Sequence, residues 1–382
     1  MQPVAPHHDS EPGGSQRTDG RLKILMAITE LDAGGAERAF VRVAKGLSER
    51  GYQIEVVSLR DAGVLADELR QSSIPVHALK CSRMSPMSIL RLIPHLRRFQ
   101  PDLVLSFLHE ANLATRLAAA ICRIPVVISG IRVADRRCFV RWTELLTSGF
   151  VTHYVAVSQN VARIHAQLSN VPLERFTVIY NGVEPASVAL RPVSRSDLQI
   201  PDGNRVILFA GRLVEQKAPM DLLKAFLALP DDQKKSVSLV FVGDGPLKSK
   251  IESFIASNQL KTMVRLIGWR ADLASIMKAS DVLVLPSYWE GVPNVLLEAM
   301  SIGLPVIASR VDGTSEVIDD GVTGTLFAAG NISELTSRLE EFLLHPEHSA
   351  VLAVAAQSVC DKHFTWQHCV DGFQRLVQQL SR

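Results

Sequence analysis

Two glutamates, Glu290 and Glu298, enclose an apolar stretch in the segment YWEGVPNVLLEAM, residues 288–300. Pro293 suits the first position of a helix, and a glycine and a proline follow where that helix should end, so residues 293–302 are predicted to be helical. An apolar run of strand length, DVLVLPS, precedes them, which predicts strand, loop and helix. Because ligands of α/β units bind at the carboxyl ends of strands, where helix N-termini point, the segment predicts a binding edge.

A pair of cations follows another apolar run, in the segment FAGRLVEQKAPMDLLKAF. Arg212 and Lys217 lie between the predicted strand end and the predicted helix start, and Gly211 permits close approach of a ligand to the backbone. Arginine offers a fork of donors to phosphate oxygens, and lysine adds a point charge. The pattern predicts a site for a diphosphate.

The helix predicted at Pro293 supplies groups that suit the same ligand. The backbone amides of Asn294 and Val295 are free at a helix start, and the helix dipole favours an anion there. Glu298, in the second turn, is suited to accept paired hydrogen bonds from the vicinal hydroxyls of a ribose. These residues together predict a nucleoside diphosphate site.

Other phosphate and metal motifs do not occur in the sequence. The nicotinamide pattern G-x-G-x-x-G fails, because the first glycine turn has only Gly34 and Gly35 and the segment GDGPLK has Lys248 where a third glycine belongs. No G-x-x-x-x-G-K-[ST] loop occurs, which removes the P-loop hydrolases. No Asp-x-Asp pair occurs either, so we expect no metal site and expect protein cations to neutralise a diphosphate.

Several spaced elements now agree with one family. The segments EGVPNVLLE, GRLVEQK, GDGPLK and G-x-PVIAS resemble those of the retaining nucleotide-sugar glycosyltransferases of family 4, and the likeness covers nearly all of residues 21–382. The resemblance implies an α/β protein of the GT-B type, in which two Rossmann-like domains of doubly wound parallel sheet face each other across a cleft. It implies that the C-terminal domain binds the sugar nucleotide and the N-terminal domain binds the acceptor.

The resemblance also implies roles for the donor-site residues. Arg212 and Lys217 would grip the diphosphate, and Glu298 would hold the ribose. Glu290 would lie beside the donor sugar without acting as a covalent nucleophile. The loop against the sugar and the phosphate would comprise Gly291, Val292, Pro293, Asn294 and Val295.

Three further residues, Trp269, Arg270 and Glu316, lie in segments whose pattern is less specific. Trp269 and Arg270 follow the run VRLIG at a position where family members surround the nucleobase, but Trp269 equally suits packing between the domains. Glu316, in the segment GTSEVI, is predicted to be structural.

The first half of the chain contributes two further segments. Gly34 and Gly35, in ELDAGGAERAF, resemble the glycine turn near the acceptor and the diphosphate, although a plain tight turn would have the same residues. His109 and Glu110, in SFLHEANLATRLA, follow an apolar run and are predicted to face the cleft. Family members often have a histidine near the reacting carbon, although the spacing in this sequence differs by about one residue. His109 is therefore a candidate catalytic residue. The alternative is that the segment only begins a helix, with Glu110 as its cap.

Alternating apolar runs and amphipathic segments predict the elements that position these residues. The runs KILMAI, IEVVSL, LVLSFL, VVISGI, YVAVS and FTVIYNG predict a parallel sheet, and VILFAG, VSLVFVGDG, VRLIG, DVLVLPS and PVIAS predict a second one after a linker at residues 184–204. The predicted division is a disordered leader 1–20, an acceptor domain 21–185, a nucleotide-sugar domain 186–363 and a helix 364–382 that crosses back to the first domain.

Composition limits the class of protein. The chain has 382 residues, 47% of them hydrophobic and 21% charged, with 41 basic and 39 acidic residues for a net charge of +2. This balance gives no general attraction to nucleic acid. Five cysteines without C-x-x-C spacing, no signal peptide pattern and no membrane-spanning run indicate a protein of the cytoplasm or of the cytoplasmic face of the inner membrane.

Two basic amphipathic stretches predict a surface partner. Residues 82–100 carry Arg83, Arg91, Arg97 and Arg98, and residues 131–142 carry Arg132, Arg136, Arg137 and Arg141. Such segments can lie on anionic membranes, which would suit a lipid-linked acceptor. Solvated arginines on ordinary helices are the equal alternative.

The predicted function is a metal-independent hexosyl transfer that retains anomeric configuration and uses a nucleotide-diphosphate sugar as co-substrate, with no other cofactor. Uridine is favoured over guanosine as the base, and a lipid-linked or polysaccharide glycan as the acceptor. Arg212, Lys217, Glu290 and His109 are the predicted catalytic residues. A sugar-nucleotide epimerase of the same fold and a non-catalytic sugar-nucleotide-binding subunit are the alternatives.

Overall fold

The first half of the chain folds around a seven-stranded parallel sheet. The computed structural model describes residues 21–32, 34–133, 137–184 and 191–381. The strand order is β3-β2-β1-β4-β5-β6-β7. The strands are β1 (Lys23–Ile28), β2 (Gln53–Ser58), β3 (Val76–Ala78), β4 (Leu103–Phe107), β5 (Val126–Ile131), β6 (His153–Ala156) and β7 (Phe176–Val178). The helices are α1 (Gly35–Glu49), α2 (Ala66–Gln71), α3 (Met87–Phe99), α4 (His109–Cys122), α5 (Cys138–Thr147) and α6 (Gln159–Ser169).

The second half repeats this architecture with a six-stranded parallel sheet of order β10-β9-β8-β11-β12-β13. Its strands are β8 (Arg205–Ala210), β9 (Val237–Val242), β10 (Val264–Leu266), β11 (Val282–Leu285), β12 (Val306–Ser309) and β13 (Thr325–Phe327). Its helices are α7 (Pro219–Ala228), α8 (Asp231–Lys235), α9 (Lys248–Ser257), α10 (Leu273–Lys278), α11 (Asn294–Ser301), α12 (Thr314–Val317), α13 (Ile332–Leu344) and α14 (Pro346–His363), and the last helix is α15 (Trp366–Leu380).

Both sheets are covered on both faces, which explains why their strands are almost continuously apolar. In the first sheet, Met26 packs in a cluster that includes side chains of α1 and α15, while its neighbour Leu25 packs in a cluster that includes side chains of α3 and α4. Successive side chains of a strand point to opposite faces, so one apolar run supplies both layers.

The strand order reverses between β1 and β4 in the first sheet and between β8 and β11 in the second. Doubly wound sheets bind ligands in the crevice outside the carboxyl ends of such strands. The loops that leave these four strands carry Gly34 and Gly35, His109, Gly211 to Lys217, and Tyr288 to Pro293. The topology thus brings together segments from four distant parts of the sequence.

Helix α15 begins at Trp366, where its apolar pattern predicts, and it belongs to the core of the first sheet. Val370 and Phe373 are buried in the cluster around β1. A Cβ atom on Gly46 of α1 would lie 2.6 Å from Val370, so this glycine permits the two helices to approach closely. Helix α15, which follows the second domain in sequence, therefore packs against the first domain.

The segment predicted to be a linker is partly built into the second domain. Leu198 and Ile200 are buried in the core of the second sheet, and Arg195 forms an ion pair with Asp281 at 2.9 Å. The first residues of that segment after Glu184, the leader 1–20 and Arg136 lie outside the described residues.

The helix predicted at residues 293–302 is α11, one residue shorter at each end. Pro293 is extended and precedes the first helical residue instead of occupying it, while Gly303 follows the helix with φ +69°, as a helix-ending glycine does. Among the helices of the described residues, none is long and apolar enough to cross a bilayer.

Candidate functional site

A buried ion pair joins the two segments that the sequence singles out. Lys217 Nζ donates a hydrogen bond to Glu290 Oε1, and the Ser287 hydroxyl donates to the same oxygen at 2.7 Å. Glu290 is only 5% exposed. The structure therefore brings together two of the predicted catalytic residues, and in this state Lys217 is neutralised by Glu290.

The GDGPLK segment supports the loop that carries the cations. A Cβ atom on Gly243, which has φ +136°, would lie 2.0 Å from Gly211 O, and one on Gly245 would lie 2.5 Å from Leu213 O. The Leu213 amide donates to Asp244 O at 2.9 Å. These glycines are required because two loops lie side by side.

The loop before α11 is enclosed between the domains. A Cβ atom on Gly291 would lie 2.3 Å from Arg132 O in the first domain, and one on Gly313 would lie 1.4 Å from Gly291 O. Val292 is buried beside them. Any side chain larger than hydrogen at either glycine would displace the loop.

Asn294 bridges the two domains. Its Nδ2 donates to Gly35 O at 2.9 Å, and its Oδ1 accepts a hydrogen bond from Asn181 Nδ2 at 2.6 Å. Arg132 donates in turn to Asn181 Oδ1, and burial lowers the pKa of Arg132 to about 10. In the ranges that the structure describes, the backbone amides of Asn294 and Val295 have no acceptor. They remain available to an anion.

Glu298 lies one turn further along α11. It lines a cavity of 460 Å³ together with Asn294, Arg38 and Trp366. Burial raises the pKa of the Glu298 carboxyl, and the charge of Arg38 opposes this rise. Its carboxylate accepts no hydrogen bond from the part of the chain that the structure describes, so a ligand with paired hydroxyls would satisfy it.

A larger cavity of 990 Å³ lies between the domains and is rich in cations and aromatic rings. Arg212 lines it, and within the described ranges the Arg212 guanidinium makes no ion pair or hydrogen bond. Arg310 lines it too and pairs with Asp320 at 2.5 Å. The cavity is also lined by His109, Arg132, Arg137, Glu144, His165, Gln216, Tyr288, Trp289 and Asp312.

His109 is the first residue of α4 and faces this larger cavity, as predicted. The residue before it, Leu108, has φ +72° and ψ +146°, a conformation that leucine adopts only under strain. Strained residues of this kind cluster at functional sites. Glu110 does not cap the helix, because its carboxylate accepts hydrogen bonds from Arg60 at 3.0 Å and from the Met84 amide.

At the glycine turn before α1, a Cβ atom would meet side-chain atoms and not backbone. Gly34 has φ −89°, but a Cβ atom there would lie 2.0 Å from Glu37 Oε2. A Cβ atom on Gly35 would lie 3.3 Å from Asn294 Nδ2. Burial raises the pKa of the Glu37 carboxyl, while the charge of Arg212 from the other domain lowers it.

Trp269 and Arg270 line neither of these two cavities. Arg270 forms two hydrogen bonds with Asp272, at 2.8 and 2.7 Å. Trp269 is 59% exposed, so it does not pack between the domains. A contact of these residues with a nucleobase stays a prediction.

Glu316 is structural, as its segment predicts. Its carboxylate accepts hydrogen bonds from the Gln159 amide at 2.7 Å, the Asn160 amide at 2.6 Å and the Tyr180 hydroxyl at 2.9 Å. It thereby caps α6 of the first domain from the second domain. Burial and this hydrogen bond raise the pKa of Tyr180 to about 12.

Sequence reasoning missed several residues of the site. Tyr288 and Trp289 precede Glu290 and are half-exposed in the larger cavity, and Gln216 Nε2 donates to Trp289 O at 2.9 Å. The Tyr288 hydroxyl donates to Asp221 at 2.8 Å, which raises the pKa of Tyr288 to about 12. The two adjacent aromatic residues before Glu290 are the sequence feature from which their place in the site could have been predicted.

Two family models match the chain. One is described as Glycosyl transferases group 1 and matches residues 191–359, and the other is described as Glycosyltransferase Family 4 and matches residues 33–187. Together they match more than half of the chain. The chain belongs to the family 4 glycosyltransferases. The resemblance inferred from the spaced motifs is confirmed.

Curated relatives match this glycosyltransferase over most of its length. It is 26% identical over 342 residues to UDP-Gal:alpha-D-GlcNAc-diphosphoundecaprenol alpha-1,3-galactosyltransferase of Escherichia coli, across 84% of this chain and 88% of that protein. It is 25% identical to GalNAc-alpha-(1->4)-GalNAc-alpha-(1->3)-diNAcBac-PP-undecaprenol alpha-1,4-N-acetyl-D-galactosaminyltransferase of Campylobacter jejuni, across 94% of this chain and 99% of that protein.

Solved structures share the fold of this glycosyltransferase. Anabaena Alr3699/HepE in complex with UDP-glucose superposes with a TM-score of 0.81 at 23% identity, covering 94% of this chain and 100% of that one. WaaG, a glycosyltransferase involved in lipopolysaccharide biosynthesis, superposes with a TM-score of 0.71 at 19% identity, covering 91% and 98%. The predicted GT-B fold is confirmed.

Proposed function

We propose that this glycosyltransferase moves a sugar from a UDP-sugar to a hydroxyl group of a lipid-linked or polysaccharide glycan, with retention of anomeric configuration. One observation carries the proposal: the Lys217–Glu290 pair, Arg212 and the free amides of α11 come from two adjacent loops at the cleft between the domains. The E. coli relative is named for a UDP-Gal donor and a diphosphoundecaprenol-linked acceptor, and HepE is described with UDP-glucose, which supports both substrate classes.

The two cavities suggest where each part of the substrates would bind. The nucleoside would occupy the smaller cavity, where the Glu298 carboxylate lacks a hydrogen-bond donor and would accept the ribose hydroxyls. The sugar and the acceptor would occupy the larger one, between His109 and the rings of Tyr288 and Trp289. The diphosphate would then lie between them, against Arg212, Lys217 and the start of α11.

The glycine turn belongs to this proposal as well. Gly34 and Gly35 bring the start of α1 against Asn294, which itself lines the smaller cavity. A diphosphate between the cavities would meet the backbone of this turn from the first domain and the amides of α11 from the second. We therefore propose that both helix starts contribute to binding of the anion.

Cleavage of the bond between sugar and phosphate places negative charge on the outer phosphate while the anomeric carbon becomes cationic. Donors that are already in place at that phosphate stabilise the transition state. Arg212 and Lys217 would supply them, with Glu290 keeping Lys217 in position. Because protein cations do this work in the proposal, we expect turnover to continue in EDTA.

Retention would follow from attack on the face from which the nucleotide departs, with the leaving phosphate helping to accept the proton of the acceptor hydroxyl. Glu290 would not be a covalent nucleophile, because its carboxylate is already engaged by Lys217 and Ser287. His109 would lie near the reacting carbon and the acceptor hydroxyl.

Contact with an anionic membrane is also part of the proposal, and α5 is the element that supports it best. Phe139, Trp142, Leu145 and Leu146 are exposed on α5, with Arg137 and Arg141 beside them. On α3, by contrast, Arg91 donates to Leu79 O at 2.6 Å and Arg98 pairs with Glu55 at 3.1 Å. We therefore propose docking at the cytoplasmic face of a membrane through α5.

A panel of nucleotides and sugar nucleotides tests the proposed function. At 100 times its dissociation constant a ligand stabilises the protein by about 2.7 kcal/mol, so UDP should raise the melting temperature more than GDP does. The UDP-sugar that binds best should be turned over with EDTA present, and NMR of the product should give the configuration of the donor. A product of inverted configuration, or an epimerised sugar nucleotide released without an acceptor, would refute the proposal.

A further inference from the structure

A buried cluster of ionisable side chains adjoins the larger cavity. Arg116 on α4, Glu144 on α5 and His165 on α6 are 1%, 2% and 4% exposed. Charged side chains are almost never so deeply buried unless they are paired. Three helices therefore place their most polar side chains at one point, and that point adjoins His109.

The two carboxylate oxygens of Glu144 have different partners. Oε2 accepts a hydrogen bond from the Arg116 guanidinium at 2.6 Å and lies 3.3 Å from His165 Nε2. Oε1 lies 3.5 Å from His109 Nδ1. One oxygen is thus held by the buried cation, and the other is directed at the histidine that faces the cavity.

Arg116 is itself fixed in place. Its guanidinium donates to Ser129 Oγ at 3.0 Å and Thr147 Oγ1 at 3.1 Å, and it lies 5.5 Å from the centre of the Tyr154 ring. Burial raises the pKa of the Glu144 carboxyl, but hydrogen bonds to His109 and His165 and the charge of Arg116 outweigh burial and hold that pKa well below its usual range. The carboxylate is therefore ionised at neutral pH.

An ionised carboxylate beside Nδ1 favours the imidazole tautomer that carries its proton on Nδ1. The other ring nitrogen, Nε2, is then an acceptor and lies 3.2 Å from the Thr143 hydroxyl. Glu144 and Thr143 are one residue apart on α5, so a single helix holds both nitrogens of the ring. The Phe139 ring, also on α5, contacts the imidazole edge to face.

We propose that Glu144 is a positioning residue for the transfer reaction: it orients His109 and fixes its tautomer, so that Nε2 is the unprotonated nitrogen and can exchange its contact with the Thr143 hydroxyl for one with the acceptor hydroxyl. The inference rests on the proposed role of His109 at the acceptor. Arg116 holds Oε2 of the carboxylate in the core, and His165 lies beside the same oxygen. No other described carboxylate lies within ion-pair distance of His109.

Other charged groups lie near the His109 ring or line the same cavity. Glu110 follows His109 on α4 but is engaged by Arg60. The remaining charged groups that line the cavity are Arg132 and Arg137 of the first domain and Arg212, Arg310 and Asp312 of the second. Glu110→Gln is therefore the matched control, because it removes a carboxylate adjacent to His109 in sequence without touching Nδ1.

The test is the ¹⁵N NMR spectrum of histidine-labelled protein, with His109 assigned by His109→Gln. We expect the neutral imidazole of His109 in the wild type to carry its proton on Nδ1 and not on Nε2, Glu144→Gln to lose this tautomer preference, and Glu110→Gln to keep it. An unchanged His109 signal in folded Glu144→Gln overturns the inference. Because Glu144→Gln leaves Arg116 buried without a counter-ion, the double variant Arg116→Met/Glu144→Gln repeats the measurement with both charges removed.

Kinetics give the second readout, with UDP-glucose or UDP-galactose as donor, whichever turns over faster. We expect Glu144→Gln to lower kcat about 100-fold, as misplacement of a reacting group does, and to leave the donor KM within about twofold. A loss confined to KM overturns the inference. UDP-dependent stabilisation distinguishes the two proposals: if the wild type does not bind UDP, the donor site is wrong, while the tautomer spectrum still tests Glu144.

Discussion

Lys217 and Arg212 are both cations of one loop, yet their surroundings differ. Lys217 neutralises a buried carboxylate, whereas Arg212 is exposed to the larger cavity without an ion pair among the described residues. Removing one partner of a buried pair costs about 3–5 kcal/mol, because the other charge is left unpaired. The same substitution at the two positions should therefore have different consequences for folding.

We predict that Arg212→Ala lowers turnover about 10²- to 10³-fold and leaves the melting temperature unchanged, because it removes only a donor at the leaving phosphate. Lys217→Ala should lower turnover similarly and also destabilise the protein. The double variant Lys217→Met/Glu290→Gln should recover stability without recovering turnover. Lys250→Ala, an exposed lysine of the same domain, is the control. Near-normal turnover in Arg212→Ala would count against the donor site.

Glu298 contrasts with Lys217, because its charge lowers the stability of the free protein and is expected to serve only ligand binding. Its pKa is raised by burial, so the folded protein favours the protonated form. The stability associated with this group is present below the ordinary pKa of glutamate, about 4.3, and is lost as the pH rises through the raised value. At neutral pH the free protein therefore holds a carboxylate that it would be more stable without.

We predict that Glu298→Gln stabilises the free protein at pH 7 by on the order of 1 kcal/mol and that this gain disappears near pH 4. The amide should accept the ribose hydroxyls less well, so UDP should bind more weakly. Urea unfolding at pH 7 and near pH 4 checks the predicted change in stability, and titration with UDP checks the predicted loss of affinity. Weaker UDP binding without any gain in stability would show that the carboxylate is satisfied in the free protein.

Helix α5 has two chemically distinct faces. Its buried face carries Glu144, and its exposed face carries apolar side chains, of which Trp142 is 65% exposed and Leu146 is 74% exposed. An amphipathic helix with aromatic and leucine side chains outward and arginines nearby suits an anionic lipid surface. Exposed apolar side chains also occur elsewhere, on α14, where Val351 and Val354 are 67% and 69% exposed.

We predict that Trp142→Ser/Leu146→Ser abolishes co-sedimentation with vesicles containing anionic lipid, and that binding of the wild type weakens as salt is added. Val351→Ser/Val354→Ser is the matched control, because it removes equally exposed apolar side chains from the other domain. If the α5 variant sediments like the wild type, the apolar face of α5 does not dock on the membrane.

Elements with strong local patterns were predictable from the sequence. The central strands have continuous apolar runs, and α11 is bounded by Pro293 and Gly303. The edge strands β3 and β13, of three residues each, were missed, whereas β7 and β10, which are equally short, were predicted because each lies in a longer apolar run. Arg212, Lys217 and Glu290 could be predicted from their short segments, whereas Arg132 and Asn181 enter the site only because distant loops meet.

At the scale of the whole molecule, contacts between the two domains hold the cleft. Asn294 binds Gly35 on one side, and Glu316 caps α6 on another. Helix α15 adds a covalent connection from the second domain to the core of the first. Interfaces of this kind between domains permit relative motion, so we expect the free protein to sample open states.

We predict that Glu316→Ala opens the cleft of the free protein. The variant loses charge-assisted hydrogen bonds to the Gln159 and Asn160 amides, each worth about 1.5–3 kcal/mol, enough to shift an open–closed equilibrium at least about tenfold. Small-angle X-ray scattering should give a larger radius of gyration, which saturating UDP should reduce if the nucleotide contacts both domains. Glu334→Ala is the control, because Glu334 accepts an amide hydrogen bond within the second domain. An unchanged radius in Glu316→Ala would mean that α15 and the Asn294 contact suffice to hold the domains together.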